Sequence, residues 1–389
     1  MFDFDRIIDR KNTNCAKYDL ASARGYPEDV LPLWVADMDF AAPDCVRQAL
    51  HKAVDHGIFG YSLLGDDYYA AVQNWFARRF ALQIQKEWLV TTPGVVFAIC
   101  AGIRAVTEPG DAVLVQPPVY YPFSDMVKRN GRTLVESPLV YREGRYTIDF
   151  ADFEKKVAEN PVKVFLLCSP HNPVCRVWTK DELKRLGSIC KKYGVTVIAD
   201  EIHCDFAFPE YPHTPFLLAC PDLEEQTILC TSPSKSFNLA GLQVSNIIIP
   251  GKDLREAFCR QVNGSGYDDP NRLGMIACQA AYQDGAPWLD ACKAYMRGNL
   301  DYVRTFLKEN LPQIRLVEPE GTYFAWLDCT GLGMTEETLN DLIINKAELW
   351  LDSGSIFGSC AAQFQRIVLA CPRATLEQAL ARLAEALRS

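Results

Sequence analysis

The sequence predicts an α/β chain: a large unit built on a mostly parallel sheet, followed by a smaller α+β unit. Two observations predict it. Four short runs rich in Val, Ile and Leu, at Asp111–Gln116, Val162–Cys168, Val195–Asp200 and Thr227–Ser232, are nearly continuous in apolar character rather than alternating. Strands buried on both faces of a parallel sheet read this way. Helical patterns lie between the runs, and strand–helix alternation is how such sheets are wound.

In chain order, Gly65-Asp66-Asp67 opens a helix whose Tyr69, Val72, Phe76 and Phe80 form an apolar stripe. Thr92-Pro93-Gly94-Val95-Val96 begins another, running through Val106. Thr179-Lys-Asp-Glu182 is a capping box, followed by Leu183, Leu186 and Ile189 on one face until Gly194 ends the element. Beyond residue 285 come a long helical stretch, Trp288–Leu311, and the strand-like segments 322–328 and 365–370. Thr375 is read as the cap of a last helix carrying Leu376, Leu380, Leu383 and Leu387. The large unit is placed at residues 49–285, and the small one at 1–48 together with 286–389.

Composition narrows the function. The chain has 389 residues, 49% of them hydrophobic and 23% charged, so an ordinary globular core is expected. With 40 Lys+Arg against 49 Asp+Glu, the net charge of −9 argues against a nucleic-acid binder. The opening MFDFDRIIDRKNTN has no apolar core of a signal peptide, and no run approaches a membrane span. The 15 cysteines include no C-x-x-C pair, so neither a zinc site nor a disulfide framework is expected. A cytoplasmic enzyme without metal fits these counts, its thiols kept reduced.

In open α/β sheets, ligands sit beyond the carboxyl ends of the strands. Pro117-Pro118-Val119-Tyr120-Tyr121 follows the first run, Ser169-Pro-His-Asn172-Pro the second, Asp200-Glu-Ile-His203 the third and Ser232-Pro-Ser234-Lys235-Ser236 the fourth. A lysine desolvated at such an edge loses its proton easily and can form a Schiff base. An aspartate there can keep a pyridinium nitrogen protonated, making that ring an electron sink. A tyrosine face can stack on the ring and an Asn amide can donate to a phenolate oxygen. Gly94 before a helix lets a phosphate approach backbone N–H groups.

At this point the chain resembles the fold-type I pyridoxal-phosphate enzymes, the aspartate aminotransferase superfamily, and within it the MalY/PatB group of cystathionine β-lyase type carbon–sulfur lyases. The resemblance rests on LPLWVADMDF from Leu31, GIFGYS from Gly57, SPHNPVCRVWT from Ser169, ADEIHCDF from Ala199, SPSKSFNLAGLQ from Ser232 and ACPR ending at Arg373. It implies an aspartate aminotransferase-like large domain and pyridoxal 5′-phosphate as cofactor, held by Lys235. It further implies that Asp200 pairs with the ring nitrogen, that Asn172 and His203 face the ring hydroxyl oxygen, and that Tyr120 stacks on the ring with Tyr121 nearby. Gly94, Val95, Val96, Ser232 and Ser234 would hold the phosphate, which Tyr61 would reach from the partner subunit of a homodimer. Arg373 would clamp the substrate carboxylate, with Ala36 beside it.

Three departures stand out. Cys175 replaces the glycine of Asn-Pro-x-Gly-Arg, on the loop carrying Asn172, so it is the thiol to watch for altered pocket shape or oxidation. The segment before ACPR lacks the usual glycines and has Val368 where Arg-x-Asn-x-Ala would place Asn. Gln243 stands eight after the lysine, where aminotransferases often have arginine. The implied reaction is β-elimination of a thiol from L-cystathionine or related S-substituted L-cysteines, giving pyruvate and ammonia. An aminotransferase on the same scaffold is the first alternative, and a regulatory or binding protein that keeps this fold is the second.

Overall fold

The computed structural model describes residues 2–388. Its central sheet has seven strands, in the order Leu89–Thr92, Ser245–Ile248, Thr227–Thr231, Thr196–Asp200, Val162–Cys168, Ala112–Val115, Thr133–Glu136. Ser245–Ile248 runs antiparallel to both its neighbours, and the five strands from Thr227–Thr231 to Thr133–Glu136 pair in parallel. The four apolar runs are therefore strands, each shortened by at most two residues. Ala112–Val115 and Thr227–Thr231 are buried throughout, which is why they do not alternate.

Strand order fixes where a ligand can sit. From Ala112–Val115 the chain first builds outward to Thr133–Glu136, then returns to Val162–Cys168 and proceeds the other way. The order thus reverses between Ala112–Val115 and Val162–Cys168, opening a crevice at their carboxyl ends. Helix Val95–Val106 packs close under this region. A Cβ on its Gly102 would come within 2.9 Å of Ile198 Cδ1 and 3.1 Å of Ile228 Cδ1, so a larger residue there would push these two side-chain ends aside.

The flanking helices follow their sequence signals. Asp66–Phe80 starts where Gly65 predicts it. Lys180–Tyr193 has both bonds of the Thr179–Glu182 capping box and ends at Gly194 with φ 67°, a left-handed turn that glycine adopts without steric cost. Helix Ala286–Asn310 spans 25 residues, a length of about 37 Å. A second, antiparallel sheet follows, in the order Arg315–Val317, Phe324–Asp328, Phe364–Val368, Asp352–Ser353. The last helix is Arg373–Ala386, with Pro372 rather than Thr375 at its N-cap. Proline's fixed φ begins the helix earlier than the Thr signal suggests, and Thr375 lies inside the first turn.

Part of the N-terminal segment forms a separate two-stranded sheet with the C-terminal region. Leu31–Pro32 pairs in parallel with Leu349–Trp350. Lys17, completely buried, donates to Asp39 at 2.7 Å, while Arg10 bonds Asp37 at 2.6 Å and Asp39 at 2.7 Å. Removing one partner from so buried a cluster would cost about 3–5 kcal/mol. The cluster pins the Trp34–Ala36 stretch over the carboxyl edge of the large sheet. All fifteen cysteines are unpaired and most are buried. Among the described residues no helix is long and apolar enough to cross a membrane, and no cluster of His, Cys, Asp and Glu could hold a metal ion.

Candidate active site

A cavity of about 270 Å³ occupies the crevice at the strand ends. Lys235 lies on the single helical turn Pro233–Ser236, directly after strand Thr227–Thr231, and its Nζ donates to the Ala36 carbonyl at 2.7 Å. Tyr323 Oη donates to the same carbonyl at 3.0 Å. Protein surrounds the amine although the side chain opens onto the cavity. Desolvation lowers its pKa from 10.5 to about 8, with Arg366 adding to the effect and the Asp37 and Asp200 carboxylates opposing it. In cofactor-free protein, acetylation of Lys235 by acetic anhydride should therefore reach half its maximal rate near pH 8, because only the neutral amine reacts. Solvent-exposed lysines should need about two pH units more. Peptide mass spectrometry across pH 6–11 checks this, and a Lys235 profile matching the exposed lysines would refute it.

Asp200 ends strand Thr196–Asp200, buried, with Oδ1 accepting from the Ile202 N–H at 3.1 Å. Burial raises its pKa to about 7, so the carboxylate keeps its charge firmly only beside a cation. Asn172 lies on the loop after Val162–Cys168, and its Oδ1 accepts from Arg366 Nη1 at 2.8 Å. His203 is buried against the rings of Tyr323 and Phe324, at 5.5 and 5.3 Å between centroids. Burial, together with Lys235 and Arg366, holds its pKa far below the usual value, so it is neutral, and its Nδ1 has no hydrogen-bond partner among the described residues. Tyr120 and Tyr121 both line the cavity, 5.7 Å apart.

At the opposite end Gly94, Val95 and Val96 meet the cavity at the start of helix Val95–Val106. A Cβ on Gly94 would find no heavy atom within 4 Å, which leaves an open cradle beneath the helix's free N–H groups. Ser232 and Ser234 close this end, Ser232 Oγ donating to Val244 O at 2.7 Å and accepting from Ser234 N at 3.1 Å. Ser245 Oγ, also facing the cavity, is buried without a partner among the described residues.

Two expected residues lie elsewhere. Tyr61, 94% exposed, stands in an open segment with Ile58, Phe59 and Leu63 and does not line this chain's own cavity. Arg373 is a correction. It begins helix Arg373–Ala386, its Nε donates to Asn299 Oδ1 at 2.8 Å, and its guanidinium lies over the Tyr302 ring at 4.9 Å. Pro372 starts the helix at that point and turns the side chain toward helix Ala286–Asn310, away from the cavity. Arg366, seven residues earlier in strand Phe364–Val368, lines the cavity instead. Its guanidinium sits between Phe324 and Phe357, at 4.4 and 4.9 Å, donates to Trp34 O at 2.7 Å and pairs with Asp352. Its Nε is buried without a partner among the described residues. The signal for it was present: one arginine inside the apolar strand FQRIVLA.

Cys175 does not reach the cavity. It adopts φ 60°, the left-handed conformation a glycine would take, and its fully buried Sγ donates to Pro173 O at 3.1 Å and accepts from Thr322 Oγ1 at 3.2 Å. Burial pushes the thiol up to about 12, which keeps it protonated and unreactive.

The donor set fits a phosphorylated, cationic aromatic ring. A deprotonable lysine, an aspartate awaiting a positive partner and a tyrosine face lie at one end, and an open N–H cradle with hydroxyls lies at the other. Fold and site together define the architecture of a pyridoxal-phosphate enzyme. The chain belongs to the aminotransferase class I and II family, whose model matches residues 28–383. It is 39% identical to cystathionine beta-lyase PatB of Bacillus subtilis, over 99% of this chain and 100% of that protein. A pyridoxal-phosphate-bound chain from Clostridium difficile 630, provisionally named an aminotransferase, superposes with a TM-score of 0.97 at 39% identity, covering 100% of both chains. The pyridoxal-phosphate-bound C–S lyase of Staphylococcus hominis, complexed with the inhibitor L-cycloserine, gives 0.93 at 34% identity, over 100% of this chain and 98% of that one.

Proposed function

We propose that this protein is a carbon–sulfur β-lyase that releases a thiol from L-cystathionine or related S-substituted L-cysteines. The observation that carries the reading is its full-length likeness, at 39% identity, to a protein named for that reaction. Pyridoxal 5′-phosphate is the cofactor. Lys235 would hold it covalently, with Asp200 at the ring nitrogen, Asn172 and His203 beside the ring oxygen and Tyr120 against the face. The Gly94-Val95-Val96 turn, Ser232 and Ser234 would take the phosphate. When bound, the cofactor supplies a protonated ring that draws off the electron pair left at the substrate Cα.

The chain's own groups do the rest. Arg366, which lines the cavity and keeps an Nε without a partner among the described residues, would bind the α-carboxylate and orient the Cα–H bond. The Lys235 amine, whose pKa of about 8 leaves part of it neutral near pH 7, would accept the Cα proton. The sulfur would then leave Cβ with its bonding pair and take up a proton. Overall, substrate and one water become thiol, pyruvate and ammonia. The apolar residues of the open segment around Tyr61 suit a subunit interface, and a homodimer would bring the partner's copy of that segment to the phosphate end. The unpaired thiols fit a reducing cytoplasm.

The name of the Clostridium difficile chain favours a second reading, transamination, which uses the same cofactor residues. Incubation of purified protein with L-cystathionine and no keto acid separates the two. Pyruvate and free thiol should appear in equal amounts. Strict dependence on an added keto acid would leave only the aminotransferase.

A further inference from the structure

A second cavity, of about 470 Å³, adjoins the reaction pocket and shares Trp34, Tyr121 and Asp352 with it. Its walls are aromatic: the Trp34 and Trp350 indoles stack 4.3 Å apart at 12°, and Tyr26 meets Trp350 edge-on at 5.0 Å. Its polar side is self-satisfied, since Gln365 Nε2 donates to Asn340 Oδ1 at 2.9 Å and Asn340 Nδ2 to Ser353 Oγ at 3.3 Å. Asp352, the acid of this cavity, is committed to Arg366. Arg24 is different. It lies at the rim on the short turn Ser22–Arg24, closed by Gly25 at φ 70°, and its guanidinium has no hydrogen bond or ion pair among the described residues.

Because the two cavities share Trp34, Tyr121 and Asp352, this one offers room for the part of a substrate that lies beyond its sulfur. Flat aromatic walls accept the methylene groups of a thioether. One uncommitted guanidinium at the far rim accepts a carboxylate. We propose that Arg24 makes the enzyme select substrates whose leaving thiol carries a carboxylate, such as the homocysteine half of L-cystathionine, over neutral alkyl thiols. The inference rests on the lyase reading and names the substrate class of that same site.

The test is steady-state kinetics of the holoenzyme and of Arg24→Gln and Arg24→Lys. The probes are L-cystathionine, S-(2-carboxyethyl)-L-cysteine and the neutral S-propyl-L-cysteine, each scored for pyruvate. Arg24→Gln should raise KM about five- to ten-fold for both acidic substrates, with kcat within two-fold and S-propyl-L-cysteine unchanged. Arg24→Lys should recover part of the loss. Added salt should weaken the preference of the unmodified enzyme, because the pair is exposed. Equal effects on acidic and neutral substrates, or none on either, overturn the role of Arg24 while leaving the lyase intact. No pyruvate from any of the three with the unmodified enzyme overturns the lyase reading, and the selection with it.

Discussion

Replacing Lys235 with alanine is expected to abolish pyruvate formation, with kcat falling at least about 10³-fold. The argument starts from position. Lys235 stands on a one-turn helix that strand Thr227–Thr231 delivers to the crevice, and its Nζ is the amine that the pocket has partly stripped of its proton. A proton acceptor of pKa about 8 works near neutral pH, whereas an exposed lysine would be almost wholly protonated. Folding should survive the change. The substitution removes a desolvated amine rather than leaving a charge unpaired, and the Ala36 carbonyl keeps its bond from Tyr323 Oη. Lys235→Arg should be as inactive as the alanine variant, because a guanidinium does not give up its proton at these pH values. The measurements are pyruvate accumulated over hours, circular dichroism, and intact mass after borohydride treatment with pyridoxal phosphate. The unmodified chain should gain the cofactor's mass and the alanine variant should not. A variant that folds and still turns over at a tenth of the normal rate would remove Lys235 from the chemistry.

How much of this was legible in sequence depended on which force decided each feature. The parallel strands were readable because burial on both faces suppresses alternation, and the reversal of strand order at Ala112–Val115 explains why Tyr120, Asn172, Asp200 and Lys235 share one crevice. The capping box at Thr179 was readable because its bonds are local. The start of the last helix was misread because Pro372 outweighs Thr375. Cys175 was suspected of shaping the pocket, yet its Sγ turns into the core toward Thr322 and Pro173, a direction that depends on residues 147 positions away in the chain. Shorter but still non-local contacts, 22 and 27 positions apart, set the Lys17–Asp39 and Arg10–Asp37 pairs, which no local pattern announces.

The two arginines near the C-terminus give the sharpest contrast. Arg366→Ala should lower kcat/KM for L-cystathionine by about 10²–10³-fold, equivalent to about 3–4 kcal/mol of lost carboxylate binding. Arg373→Ala should change it less than about two-fold. Strand Phe364–Val368 is buried along its length, and an arginine in such a strand persists only where its charge is answered. For Arg366 the answer is incomplete: Asp352, Trp34 O and Asn172 occupy the Nη atoms and leave Nε without a partner among the described residues, in a residue that lines the cavity. Arg373 spends its Nε on Asn299 and its face on Tyr302, so it ties the last helix to Ala286–Asn310 and does not line the cavity. Arg366→Ala would also strand Asp352, whose pKa burial already raises, so a drop in Tm should accompany the kinetic loss. Arg366→Lys separates the two effects. It keeps a charge near Asp352 and should restore most of the Tm, but a lysine cannot offer a planar pair of N–H groups, so kcat/KM should stay at least about ten-fold low. A larger kinetic loss from Arg373→Ala than from Arg366→Lys would return the carboxylate clamp to Arg373. It would also mean that substrate binding moves the last helix by far more than its packing on Leu376, Leu380 and Leu383 permits.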